Sequence, residues 1–403
     1  MIYLETPRKF RPLIEQAHDV AVSIFRPISR KYDRAEHQAP HELEVLASLL
    51  EGMGESGESS VGGGVSGASR QTKKKSGNQN GSNMATALSF MELCWGDVGL
   101  ALSIPRQGLG NAAIAAVAND EQKARYKGTW AAMAITEPNA GSDSAAIRTT
   151  AKRDGDEWVL NGEKIFVTAG DRCDSVVVWA SLDPSLGRAA IKSFLVPKDA
   201  PGLTLERLDH KLGIRASDTA TFSLVDCRIP FENILGSPEI DVQRSFAGVM
   251  QTFDNTRPLV AAMAVGIARA ALDLTEELLD HAIERHDPHA VRMTQSAARA
   301  ELDLMWAEYE AARLLTMRAA WMSDNGKPNS VEASMAKAKA GRVGNDVTLK
   351  CVELASALGY TETHLLEKWA RDSKILDIFE GTQQIQLLII ARRLLGKSSA
   401  ELR

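Results

Sequence analysis

Apolar residues at Phe10, Leu13, Ile14, Ala17, Ala21, Ile24, Phe25 and Ile28 recur at spacings of three and four, which predicts a helix with one buried face. The pattern breaks at residues 51–83, a Gly- and Ser-rich stretch with almost nothing to bury, expected to be a flexible loop. Helical spacing resumes at Met84 and runs, with interruptions, to about Trp130. Between Thr149 and Leu235 the period shortens to that of strands: EWVL, EKIFVT, SVVVWASL, IKSFLV and ATFSLV, with Asn161-Gly162 read as the turn of a hairpin. From Val242 onward long helical segments follow one another, separated by polar breaks such as ERHDPHA and SDNGKPN, and their many alanines allow close packing in a bundle. The expected fold is mostly α with a central β domain. Its parts are a helical domain at 1–132 containing the 51–83 loop, a β domain at 133–240, and a helical bundle at 241–403.

Composition changes this picture little. The chain has 403 residues, 44% of them hydrophobic and 25% charged, an ordinary globular balance. A net charge of −5 with no basic concentration lacks the electrostatic footprint of a nucleic-acid binder. Cys94, Cys173, Cys227 and Cys351 are far apart without CxxC spacing, so no metal site or disulfide framework is expected. The apolar run around Pro258 to Ala268 is broken by Arg269, short of the ~18 residues that a membrane span needs. With no signal-peptide core at the start either, a soluble cytoplasmic protein is expected.

Chemistry concentrates in four stretches. Near the C-terminus, IFEGTQQIQ sets Glu380 directly after Ile378 and Phe379 and directly before Gly381. Such an acid is either a paired structural ion or a group kept out of water for proton transfer. At the junction of the first two domains, AITEPNAGSD combines small residues with Thr136, Asn139 and Ser142, a set suited to a phosphate or a polar cofactor edge. KIFVTAGD places Thr168 after a β run, and FDNTRPLVAA opens a long helix with Arg257.

These four motifs, in this order within a helix–β–helix layout, resemble the acyl-CoA dehydrogenase family over nearly the whole chain. The resemblance implies an FAD enzyme that removes the α proton and β hydride of an acyl-CoA thioester. Glu380 matches the base, with the hydride passing to flavin N5. Its backbone N–H, with a flavin hydroxyl, would stabilise the developing enolate like an oxyanion hole. By the same resemblance Thr136, Gly141, Ser142, Phe166, Thr168, Thr382 and Gln384 contact the flavin, Phe166 standing where many relatives have Trp. Phe253, Asp254 and Arg257 match the acyl-CoA-binding helix. Some relatives carry their base on that helix; the matching residue here, Thr256, cannot serve. An electron-transfer flavoprotein or similar acceptor is implied.

Two departures stand out. Homotetrameric relatives complete a neighbour's FAD site with an Arg-x-x-Phe-Gly loop and a Gln-x-x-Gly-Gly turn. Here these align with Arg285-His286-Asp287-Pro288-His289 and Glu353-Leu354-Ala355-Ser356-Ala357. Asp287 and Glu353 would bring carboxylates toward a pyrophosphate, and the close-approach glycines are gone. The chain therefore resembles the catalytic subunit of a heterotetramer with a second acyl-CoA dehydrogenase-like subunit. The 51–83 segment stands where relatives have a compact turn, and its role is open. Two other readings stay in play: an acyl-CoA oxidase, and a non-catalytic partner subunit. Acyl chain length is not legible.

Overall fold

The computed structural model describes residues 6–54, 79–106, 109–240, 247–282, 296–397 and 401, with the backbone alone for 48–54, 247–255 and 282. The N-terminal helical part comprises α1 (Arg11–Val20), α2 (Arg26–Arg34), α3 (His41–Gly54), α4 (Ser82–Gly96), α5 (Val98–Ala101), α6 (Leu109–Val117) and α7 (Asp120–Arg125). Helical structure thus runs through the segment expected at Phe10–Ile28 and beyond it, with a π turn at Ala21–Phe25. Pro27, which has no N–H to give to the preceding turn, stands one residue beyond this widened coil. The 51–83 segment is shorter at both ends than its composition suggested. Residues up to Gly54 continue α3, and α4 begins at Ser82. Asp324, from the end of a distant helix, accepts the backbone N–H groups of Gly81 (2.6 Å), Asn83 (3.0 Å) and Met84 (3.0 Å), doing for α4 what a cap residue does. The rest of that segment, 55–78, lies outside the described residues.

The β domain holds β1 (Ala131–Ala134), β2 (Thr150–Asp154), β3 (Glu157–Thr168), β4 (Ser175–Ser181), β5 (Ile191–Pro197), β6 (Leu203–Leu208) and β7 (Thr219–Pro230). They form one sheet in the order β1-β4-β2-β3-β7-β6, with β5 against the other side of β4. The Asn161-Gly162 expectation is corrected: both residues lie inside β3, at a break in its register with β7. The hairpin turn is instead at Gly155, whose φ is +63°. Glycine is needed at 162 for a different reason, since a Cβ there would lie 2.3 Å from Thr149 Oγ1 and 2.8 Å from its Cα.

The C-terminal part is built from α8 (Ala247–Ala282), α9 (Ala297–Asp324), α10 (Ser330–Leu354), α11 (Ser356–Tyr360), α12 (Leu366–Ser373) and α13 (Gln383–Leu395). Helices α4 and α8 pack so closely that a Cβ on Gly266 would meet Met91 O at 2.3 Å. The apolar segment Thr256–His281 proves long enough to cross a membrane, contrary to expectation, but 78% of its most apolar window is buried inside the protein. It is the core helix of the bundle, joined by α4, α9 and α10 around one hydrophobic core.

A buried knot ties the three parts together. Lys368 of α12 donates to Asp97 (2.6 Å), the N-cap of α5, and to Asp372 (2.5 Å). Asp372 in turn accepts the N–H of Ile214 (2.6 Å), in the loop between β6 and β7. A Cβ on neighbouring Gly213 would lie 2.5 Å from the Arg371 backbone, so this loop is held tightly against α12. The four cysteines are all buried and free.

Candidate active site

Where the three parts meet, a cavity of about 1170 Å³ opens. The ends of β1 and β3, the TEPNAGSD loop, the 209–214 loop, α8 and the turn before α13 all reach it. Three of its lining residues, Phe166 (φ +59°), Ile214 (φ +47°) and Glu380 (φ +56°), hold left-handed backbone conformations without being glycine. Such conformations cost roughly 1–3 kcal/mol each and persist where surrounding structure enforces them, often at functional sites.

Glu380 lies in the short turn between the 3₁₀ segment Lys374–Asp377 and α13, followed by Gly381 at φ +92°. It is half-buried as a residue, and its carboxylate accepts a hydrogen bond from the buried Thr256 Oγ1 at 2.6 Å. Desolvation dominates and raises the carboxyl pKa above the ordinary glutamate value; the Thr256 hydroxyl, Arg257 and Lys337 pull the other way. The drying does not come from the residue's sequence neighbours alone, because Ile378 is 45% exposed. Helix α8 supplies Thr256 and Arg257, the latter also buried and lining the cavity.

On the β side, Thr168 ends β3 and lines the cavity, as does Phe166, which is 62% exposed. A register shift between Lys164 and Val167 releases this stretch from the β7 ladder and turns it toward the cavity. Thr136, Gly141 and Ser142 line the cavity beside it, and a Cβ on Gly141 would come no nearer than 4.0 Å to Thr136, so this backbone is open. Their loop is held by its own acid. Glu137 accepts from Lys164 Nζ (2.7 Å), Arg148 N–H (2.6 Å), Thr149 N–H (3.0 Å) and Thr149 Oγ1 (2.6 Å).

Thr382 also lines the cavity, and it caps α13 by accepting the Ile385 N–H at 3.4 Å. Gln384 is exposed and does not line the cavity; Gln386, two residues on, is the buried amide that donates to the carbonyls of Glu380 (3.2 Å) and Gly381 (3.0 Å). Helix period explains the exchange, since 384 and 386 lie about 200° apart around α13. Phe253 and Asp254 fall in the part of α8 whose side chains lie outside the described residues. Sequence reasoning missed Gln386, Lys337 and the 209–214 loop. It weighed Thr256 only as a base, where it is the base's hydrogen-bond donor.

The residues present suit a flavin. A large apolar ring held out of the core at the cavity edge offers a face for a flat aromatic group. Thr136, Ser142 and Thr168 supply hydroxyls around it, next to open backbone at Gly141.

The middle-domain model of the acyl-CoA dehydrogenases matches residues 132–227, and their C-terminal-domain model matches residues 246–395. The mitochondrial short-chain specific acyl-CoA dehydrogenase of Rattus norvegicus is 42% identical over 262 residues, 65% of this chain. That alignment spans 62% of the rat protein's length. Among solved structures, butyryl-CoA dehydrogenase from Megasphaera elsdenii superposes with a TM-score of 0.80 at 29% identity, covering 98% of this chain and 100% of the other. A glutaryl-coenzyme A dehydrogenase in complex with glutaryl-CoA gives 0.81 at 26% identity, covering 99% and 98%. With both domain models matched in order on either side of a cavity that gathers the same motifs, this chain belongs to the acyl-CoA dehydrogenase family.

Proposed function

We propose that this chain catalyses the α,β-dehydrogenation of an acyl-CoA thioester, with FAD as its resident cofactor and Glu380 as the base that takes the α proton. The observation that carries this reading is the Glu380 carboxyl: desolvated, hydrogen-bonded by one hydroxyl, and set on a left-handed turn at the cavity wall. FAD, when bound, supplies the acceptor for the β hydride. The chain's own residues do the rest. Phe166, Thr168, Thr136, Gly141, Ser142 and Thr382 would hold the cofactor, and Arg257, which lines the cavity and opposes the rise of the Glu380 pKa, would bring positive charge to the site. A raised carboxyl pKa makes Glu380 a stronger proton acceptor once ionised, nearer to what a weak carbon acid demands. The relatives named short-chain specific, butyryl-CoA and glutaryl-CoA dehydrogenase favour a short acyl group. The test is anaerobic mixing with acyl-CoAs of graded length. Flavin bleaching is expected with short chains, and its absence with every acyl-CoA would overturn the assignment.

We also propose that the working form is a heterotetramer with a second acyl-CoA dehydrogenase-like subunit, passing electrons to an electron-transfer flavoprotein or similar acceptor. Ser356 stands where the relatives' turn has its first glycine, and its φ is +51°, so the turn keeps a glycine-type backbone without the glycine. Glu353 of the same turn is exposed, facing Lys350 at 2.8 Å. Exposed Leu387, Leu394 and Leu395 on α13 leave apolar surface for a neighbour. Asp287 lies outside the described residues. Flavin per chain decides the question: tightly held stoichiometric FAD in the chain produced alone would sink the heteromer. About one FAD per pair of unlike subunits is the expected result.

A further inference from the structure

Behind the turn that carries Glu380 sits a second ionisable group that the sequence did not single out. Lys337, in the middle of α10, has no solvent exposure, and Ala333, Ala336, Ala338, Ala340 and Gly341 around it are buried too. A lysine in so apolar a helix face is costly unless its charge is used. Its Nζ donates to the carbonyl of Gly381 at 2.8 Å, and Gln386 donates to the carbonyls of Glu380 and Gly381 from the other side. Two successive carbonyls of a positive-φ pair are thereby held by side-chain donors. Gly381 cannot be replaced without disturbing this arrangement, because a Cβ there would lie 2.4 Å from Gln386 Nε2.

Among the described residues, three charged groups face Lys337: Asp377 from the 3₁₀ segment, Glu380 from the turn, and Arg257 from α8. Asp377 is shared with Arg342 and Lys374, each at 3.9 Å, on its outer side. Glu380 itself is faced by Thr256, Arg257 and Lys337. Burial brings Lys337 down to about 8, with Asp377 and Glu380 opposing that fall and Arg257 adding to it. The lysine is therefore charged at neutral pH and gives up its proton in the mildly alkaline range.

We propose that Lys337 is a positioning residue for the base: its ammonium pins the left-handed Glu380–Gly381 backbone and supplies the buried positive charge that steadies the Glu380 carboxylate. This rests on the reading of Glu380 as the α-proton acceptor. Protonated, Lys337 offsets part of the desolvation that keeps Glu380 neutral. Once it deprotonates, the carboxylate loses that counter-charge and the turn loses its cationic donor. The activity profile then carries two limbs, one rising as Glu380 ionises and one falling as Lys337 is neutralised.

The experiment compares wild type, Lys337→Gln, Lys337→Met and Lys337→Arg in the full-length chain by infrared difference titration. The Glu380 carboxyl band is identified by its loss in Glu380→Gln. Lys337→Gln keeps a donor for the Gly381 carbonyl and removes only the charge. Its Glu380 midpoint is expected at higher pH than in wild type, without the second inflection near pH 8 that Lys337 imposes. Lys337→Met shifts the midpoint in the same direction. Lys337→Arg, whose guanidinium stays charged, restores the low midpoint and also lacks the inflection. Identical Glu380 midpoints in wild type, Lys337→Gln and Lys337→Met overturn the proposal. Because this readout needs no substrate, the outcome stands apart from the dehydrogenase reading, which fails separately if no acyl-CoA bleaches the flavin.

Discussion

Two carboxylates in this protein stand beside buried lysines, and they come out opposite. Glu137, in the TEPNAGSD loop, accepts four hydrogen bonds, from Lys164, Arg148 and both donors of Thr149. Burial works against its charge, yet Lys164 and these donors outweigh it and hold the carboxyl below the usual value. Lys164, lowered to about 8 by burial, remains protonated at neutral pH, so the pair is ionised. Glu380 has Lys337 nearby but accepts from Thr256, and desolvation wins. A lysine neighbour therefore does not decide whether an acid is structural or reactive. Among the described residues, the difference lies in the donors closing on its oxygens: four for Glu137, against the Thr256 hydroxyl for Glu380.

The comparison can be broken at either acid. Glu380→Gln is expected to slow substrate bleaching of the flavin by about 10³-fold with flavin content unchanged, as loss of a positioned base commonly does. Near-normal bleaching in stopped-flow would remove Glu380 from the chemistry. Glu137→Gln leaves Lys164 charged in a buried site, and breaking such a pair costs about 3 kcal/mol or more of stability. Urea unfolding measures it, and a midpoint equal to wild type would show that Glu137 is not the anchor of its loop.

Their pH dependences should also oppose. The Glu137 contribution is present above the unfolded glutamate value of about 4.3 and is lost as pH falls through its lowered folded value. Glu380 acts in reverse, since its raised folded pKa favours the neutral form in the native state. Its contribution is complete below about 4.3 and lost as pH rises through the folded value. Unfolding free energy against pH in the two Gln variants, each subtracted from wild type, should give slopes of opposite sign. Slopes of the same sign would mean that one of the two environments has been misread.

Smaller changes sharpen the contrast. Thr256→Val removes the hydroxyl from Glu380, so the acid limb of kcat/KM moves to higher pH and the neutral-pH rate falls about tenfold, the worth of one hydrogen bond to a charged group. An unshifted limb would mean that the Thr256 contact does not persist with substrate bound. Thr168→Ala, at the far wall of the cavity, should alter the flavin spectrum and lower the rate by about threefold, consistent with one neutral hydrogen bond. If spectrum and rate both stay put, Thr168 does not touch the flavin.

Much of this site was legible because its pieces are local. TEPNAGSD, Thr168, Arg257 and IFEGTQQIQ are short runs whose residue types survive without knowledge of the fold, and the structure brings them to one cavity. The β period was legible too, but the Asn161-Gly162 signal was not a turn. Thr149, just before β2, presses on that glycine, a contact that no local pattern reports. Thr256 shows the limit most clearly. Its sequence position marked it as a failed base, and only packing of α8 under the last turn made it the partner of the real candidate.

The sequence by itself determined the order of helical, β and helical parts, the apolar faces that drive them together, and the identity of the groups able to do chemistry, because periodicity and residue type are properties of the chain. Tertiary structure decided which acid is dry and which backbone is held left-handed. Those depend on what closes on a group from elsewhere in the chain. Glu380 lies 124 residues from Thr256 and gains its proton affinity from helices it meets only after folding. Glu137, equally acidic as a residue, loses its own to Lys164 of β3 and the other donors around it. Solvation and hydrogen bonding are set by that three-dimensional company, so two glutamates in distant motifs leave the ribosome alike and end with opposite roles.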